Sequence, residues 1–161
     1  MVGTNIKIIS ELKSVLEEIT SNKELRSLFV SEPTAFSRDR KLTMKRLIGI
    51  IINLPKRSLS VEIREFFDVI EDDYPATKGA FSLQRSKLLP IFFKVWNKWL
   101  VESFYLHYAE KVKQWKGFRL LANDGSTAYL MDRKDVVDYF GTQNNQHIHA
   151  PMAKVMQIYE A

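Results

Sequence analysis

A chain of 161 residues has room for one ordinary domain, or for a small domain and part of a second. Its 45% hydrophobic and 27% charged residues suit a globular protein with a buried core and exclude wholesale disorder, while the absence of cysteine excludes disulfides, thiolate metal sites and a cysteine nucleophile. A net charge of +5 favours an anionic partner; no run of about 18 apolar residues and no apolar leader is present, so a cytoplasmic protein without a membrane partner is expected.

Along the chain, Ile8, Ile9, Leu12, Val15, Leu16 and Ile19 recur at helical spacing and predict an amphipathic helix over residues 5–20. A short helical piece carrying Leu25, Leu28 and Phe29 follows and stops near Pro33. The basic loop at residues 36–42 ends at Thr43, a suitable N-cap for a helix through Leu47, Ile48, Ile51 and Leu54 that Pro55 terminates. Leu59, Ile63, Phe66, Phe67 and Ile70 then form one apolar stripe. Thr77 caps a further short helix over residues 78–88, and Pro90 opens a long one reaching about Lys113. The broad apolar face of that last helix, from Phe93, Trp96, Trp99 and Leu100 to Phe104 and Tyr108, marks it as a central packing helix.

Helical rhythm stops near Trp115-Lys116-Gly117, where a domain boundary is expected: residues 1–114 form a helical domain and 115–161 a second one. Phe118 to Ala122 reads as a buried strand and Ser126 to Met131 as another. A helical turn over residues 134–140 ends at Gly141, a polar loop spans 143–149, and 155–159 forms a further strand. About 45 residues are too few for a complete mixed sheet with covering helices, so the second domain looks unfinished.

Two groups of residues carry candidate chemistry. Asp124, followed by Gly125 and Ser126, would project from a strand end into the crevice beyond a sheet edge, where an oxygen ligand suits magnesium. An Asp-Gly pair between apolar runs is a strong hairpin-turn signal, the reading the bare residues favour, and the two readings are compatible. The second group is basic: Arg38, Arg40, Lys41, Lys45, Arg46, Lys56, Arg57 and Arg64, then Lys78, Ser82, Gln84, Arg85 and Lys87. Cations at turns and helix starts suit phosphate contacts, and Arg, Gln and Ser on an exposed helix suit base reading. Three short helices with tight turns fit a helix-turn-helix variant, although Asp39, Glu62, Glu65 and Asp68 dilute the patch, as they would on an ordinary solvated face.

Other features carry less. His147-Ile148-His149 has metal-compatible spacing but sits in a polar loop without carboxylates nearby, and Trp96 and Trp99 read as core. Ser, His and acidic residues assemble into no hydrolase triad.

Three segments together resemble bacterial insertion-sequence transposases of the IS-four type, whose DDE catalytic core is ribonuclease-H-like. The first joins Phe36-Ser37-Arg38-Asp39-Arg40-Lys41-Leu42-Thr43 to residues 54–62; the second is Thr77 to Leu88; the third is Trp115-Lys116-Gly117-Phe118-Arg119-Leu120-Leu121-Ala122-Asn123-Asp124-Gly125-Ser126-Thr127. The resemblance implies a mainly α chain. Its helix-turn-helix-like domain would bind double-stranded DNA at transposon ends and help form a homodimer, and the first strands of an incomplete ribonuclease-H-like α/β domain would follow. It implies Asp124 as the first catalytic carboxylate and magnesium ligand. The family's second Asp, and its Glu within a Tyr-Arg-Glu-Lys signature, have no counterpart here, so a truncated and catalytically incompetent chain is expected, with Mg2+ belonging to the complete enzyme. The alternative is a helical protein-interaction or oligomerisation module without DNA affinity.

Overall fold

The computed structural model describes residues 2–38, 40–53, 57–145 and 148–160. The chain is mainly helical, with antiparallel strands gathered near its end, and divides into two compact units, Met1–His107 and Tyr108–Ala161.

The first unit begins with α1, Val2–Ser21, which turns Ile8, Leu16 and Ile19 inward at the spacing the sequence sets. Asn22 caps α2, Lys23–Ser27, by accepting hydrogen bonds from the amides of Glu24 and Leu25. Beyond it, Val30 bridges Leu88: the Ser31 amide donates to the Lys87 carbonyl (2.9 Å) and the Leu89 amide to the Phe29 carbonyl (2.8 Å). This clip fixes where the basic loop starts.

Three short helices follow. Thr43 caps α3, Met44–Ile52, through the Arg46 amide, and Thr77 caps α5, Lys78–Arg85, through the Ala80 amide. Between them α4, Leu59–Val69, starts at Ser58 with no side-chain cap. All three pack on one another around Leu47, Ile48, Ile63, Phe67 and Phe81. Gly49 allows α3 to approach α4 closely, since a Cβ there would stand 3.0 Å from the Phe66 ring. The end expected for α3 at Leu54 and Pro55 lies outside the described residues.

The last helix of this unit, α6 (Ile91–Tyr108), begins one residue after Pro90 and stops five short of Lys113. Tyr108 leaves helical geometry (φ −138°) and a 3-10 turn, Ala109–Lys111, replaces the expected final turn. The helix buries Phe92, absent from the expected face, against Phe29 and Trp96 with ring centroids 5.5 and 5.6 Å apart. Trp99 and Leu100, expected in the core, are exposed. Helical periodicity finds an apolar face but not how much of it the neighbouring helices cover.

In the second unit β1 (Gln114–Trp115) and β2 (Phe118–Arg119) form a tight hairpin around Lys116 and Gly117, at φ 51° and 82°. Two consecutive positive-φ residues match the twist of the strands they join. The strand expected at 118–122 is therefore split and exposed. Next, β3 (Leu121–Tyr129) takes in the end of the first expected strand and most of the second, and pairs along its whole length with β6 (Met152–Glu160). Between them lie α7 (Lys134–Phe140), ended at Gly141 (φ 70°) as expected, and a small antiparallel ladder of β4 (Gln143–Asn145) with β5 (Ile148–Ala150), where a polar loop was expected. Among the described residues the strands form three separate two-stranded ladders.

Candidate nucleic-acid interface

The clip between Val30 and Leu88 holds the start of the basic loop against the end of α5, so cations distant in sequence share one surface. A cleft of about 280 Å³ opens between loop and helix, with Arg38, Arg40, Gln84 and Lys87 in its lining. A second cleft of about 230 Å³ shares Arg40, Leu42 and Gln84 and adds Lys41 and the capping Thr77. No described residue lining either cleft is acidic. The Lys41 ammonium lies 5.1 Å from the Tyr74 ring centre, a cation–π contact that leaves its charge uncompensated.

On α5, Lys78, Ser82 and Arg85 stand four and seven residues apart on the exposed face, with Gly79, Leu83 and Ser86 beside them. Gln84, expected on this face, is instead 8% exposed and points into the clefts. Its spacing from Phe81 and Leu88 explains this: three and four residues away from two core residues, it belongs to the inward stripe.

Three of the remaining basic residues have acidic partners. Lys45 pairs with Glu17 at 2.6 Å. Arg57 grips Glu65 with both terminal nitrogens and Glu62 through Nε at 3.2 Å. Its hydrogen bonds to Glu65, then the charges of Glu65 and Glu62, hold its guanidinium protonated even more firmly than usual. Arg46 pairs with Asp72 (3.1 Å), donates to the Lys41 carbonyl (2.9 Å) and covers the Phe67 ring, so it braces the loop from inside. Arg64 forms no ion pair among the described residues and, like Lys78, lines a cleft that also holds Asp68 and Asp73. Lys56 and His147 lie outside the described residues. Among the described residues, Arg38, Arg40, Lys41, Lys78, Arg85 and Lys87 form no ion pair, and they surround the clefts and the outer face of α5.

Asp124 neither ends a strand nor sits in a turn. It lies in the middle of β3, exposed, opposite Gln157, and Gly125 lies opposite Met156. The reason is the partner: β6 offers nine consecutive pairing positions, so the backbone is satisfied by running straight through Asp-Gly. Paired with one strand among the described residues and exposed along most of its length, β3 is not the buried central strand expected. Among the described residues no three His, Asp or Glu side chains converge. Asp124 therefore belongs to no cluster of three such side chains within these residues.

A polar cluster in the first unit escaped the sequence reading. Ser103 on α6 donates to Glu11 Oε2 on α1 (2.5 Å), and His107 Nε2 lies 2.6 Å from Glu11 Oε1. The carboxylate stands between the hydroxyl and the imidazole, so the ring is not placed to take the serine proton and the cluster acts as a clasp between helices. The Ser103 hydrogen bond first, then His107 and Lys7, hold Glu11 below the usual glutamate range despite opposing desolvation. A carboxylate depressed in the folded state contributes stability above its unfolded pKa and loses it as pH falls through the folded one. The stability gap between wild type and Glu11→Gln is thus expected to be full at about pH 6 and to shrink below about pH 4.5. Urea unfolding across that range measures it, and a gap independent of pH would contradict the assignment.

Among the described helices none is long and apolar enough to cross a membrane. Comparison with models of protein families, with curated proteins and with solved structures returns no match to this chain.

Proposed function

We propose that this chain is the DNA-binding amino-terminal part of a bacterial DDE transposase of the IS-four type, with the second unit contributing the first strands of a ribonuclease-H-like core. The observation that carries the reading is the meeting of Arg38, Arg40 and Lys41 of the basic loop with Gln84 and Lys87 at the end of α5, on one surface whose cations lack ion-pair partners among the described residues. Duplex DNA presents phosphate charge along its whole length, and such a surface supplies the cations that displace its counterions. The exposed α5 would lie against a groove, with Lys78, Ser82 and Arg85 toward the DNA. In the complete enzyme Asp124 would be the first metal-binding carboxylate and Mg2+ would stabilise the transferring phosphoryl oxygens; the described residues of this chain do not assemble that site. Alone, the chain binds DNA without cutting it.

Arg85→Ala is expected to weaken duplex binding about tenfold near 0.1 M salt, the loss of one phosphate contact. Arg57→Ala and Asp124→Asn should leave it unchanged, because the first is held by carboxylates and the second lies on β3. Fluorescence anisotropy with a labelled duplex measures all three. Equal affinities for wild type and Arg85→Ala would remove α5 from the interface.

A second reading, a helical interaction module without DNA affinity, is favoured by the exposed Trp99, Leu100, Val101 and Leu106 on α6. Light scattering that finds a stable oligomer, together with no duplex binding at low salt, would select it.

A further inference from the structure

We infer that the cleft between the basic loop and α5 is a phosphate site, with Gln84 donating from its inner wall and Arg38, Arg40 and Lys87 supplying the charge. Taking the phosphate to be one of the duplex backbone rests on the DNA-binding reading above; the phosphate chemistry itself does not.

Four observations converge on it. Gln84 is more than nine-tenths buried, lines both clefts, and its side-chain amide makes no hydrogen bond with a described residue. Among the described residues no side-chain nitrogen or oxygen is both sealed from solvent and unpartnered, so the Gln84 amide opens into the cleft, where it can donate to a ligand. Three cations, none ion-paired with a described residue, surround the same space, and no described lining residue is acidic. Such a lining suits an anion. The cleft, of about 280 Å³, has room for a phosphate group. Finally, Phe36 holds φ 59°, a conformation costly for a bulky residue, in the turn that delivers Arg38 and Arg40 to the cleft. That turn is secured by the Ser37 hydroxyl donating to the Thr34 carbonyl at 2.7 Å. Two arginines facing a largely buried glutamine give the cleft donors suited to phosphate oxygens.

The test uses the full chain, with isotope-labelled glutamine side chains observed by NMR at constant ionic strength. Inorganic phosphate at millimolar concentration should move the Gln84 amide resonances, and chloride should not. Lys87→Ala and Gln84→Glu should each weaken phosphate binding about tenfold, the first by removing a charge and the second by introducing a repelling carboxylate. Should a Gln84 variant fail to fold, the wild-type resonance still decides. A labelled duplex should move the same resonance and be displaced by phosphate. Duplex binding with steep salt dependence, but with Gln84 unmoved by either duplex or phosphate, would overturn the phosphate site and leave the DNA reading standing. Phosphate moving Gln84 with no duplex binding would uphold the site and overturn its assignment to nucleic acid. An equal response to chloride would overturn the phosphate assignment.

Discussion

Phe81→Ala is expected to destabilise the first unit by about 3–5 kcal/mol, the usual cost of emptying a fully buried phenylalanine site. Phe81 is 1% exposed and is the inward anchor of α5, a helix of eight residues too short to persist without tertiary packing. Small domains are stable by about 5–15 kcal/mol, so the substitution removes roughly a fifth or more of the total. Because α5 forms one wall of the clefts, phosphate and duplex binding should fall with stability as temperature rises toward the lowered midpoint. Leu83→Ala on the same helix is the control: at 69% exposure it should change stability by less than about 0.5 kcal/mol. Urea unfolding compares the two, and similar losses for Leu83 and Phe81 would refute the orientation of α5.

Replacing Arg38, Arg40, Lys41 and Lys87 together by alanine is expected to lower duplex affinity on the order of a hundredfold to a thousandfold near 0.1 M salt while leaving the fold intact. Each phosphate contact contributes about 0.9 to the slope of log affinity against log salt, so losing four flattens that slope by about three to four. Stability should hold because none of the four is ion-paired with a described residue; Lys41 gives up only its contact with Tyr74. The contrasting pair is Lys45 and Arg57, whose charges are already compensated by Glu17, Glu62 and Glu65. Removing those two should cost stability and spare binding. A slope unchanged in the fourfold variant would show that the loop does not touch phosphates.

The local rules were legible in the sequence. Thr43 and Thr77 cap the helices they were expected to cap, Gly141 ends its helix, and the apolar spacing of residues 8–19 marks the buried face of α1. What failed depended on distant partners. Asp124-Gly125 carries a turn signal, yet the turn forms at Lys116-Gly117, because pairing with β6 holds residues 121–129 extended and no local pattern announces a partner some thirty residues away. Glu11 meets Ser103 and His107 across a separation of more than ninety residues, beyond any spacing rule. Gln84 was misplaced for a different reason. Its three- and four-residue offsets from Phe81 and Leu88 mark it as inward, but its polarity was given more weight than its position. The basic surface was readable as composition; which cations share it became visible only once the Val30–Leu88 clip joined loop and helix.

The most direct test of DNA binding is the salt dependence of wild-type affinity for a duplex, followed from about 20 to 300 mM monovalent salt. Four or more phosphate contacts predict that log affinity falls linearly with log salt at a slope of about −3.6 or steeper. Absence of binding at the lowest salt, or an affinity that barely changes across the range, would contradict the assignment of this surface to DNA.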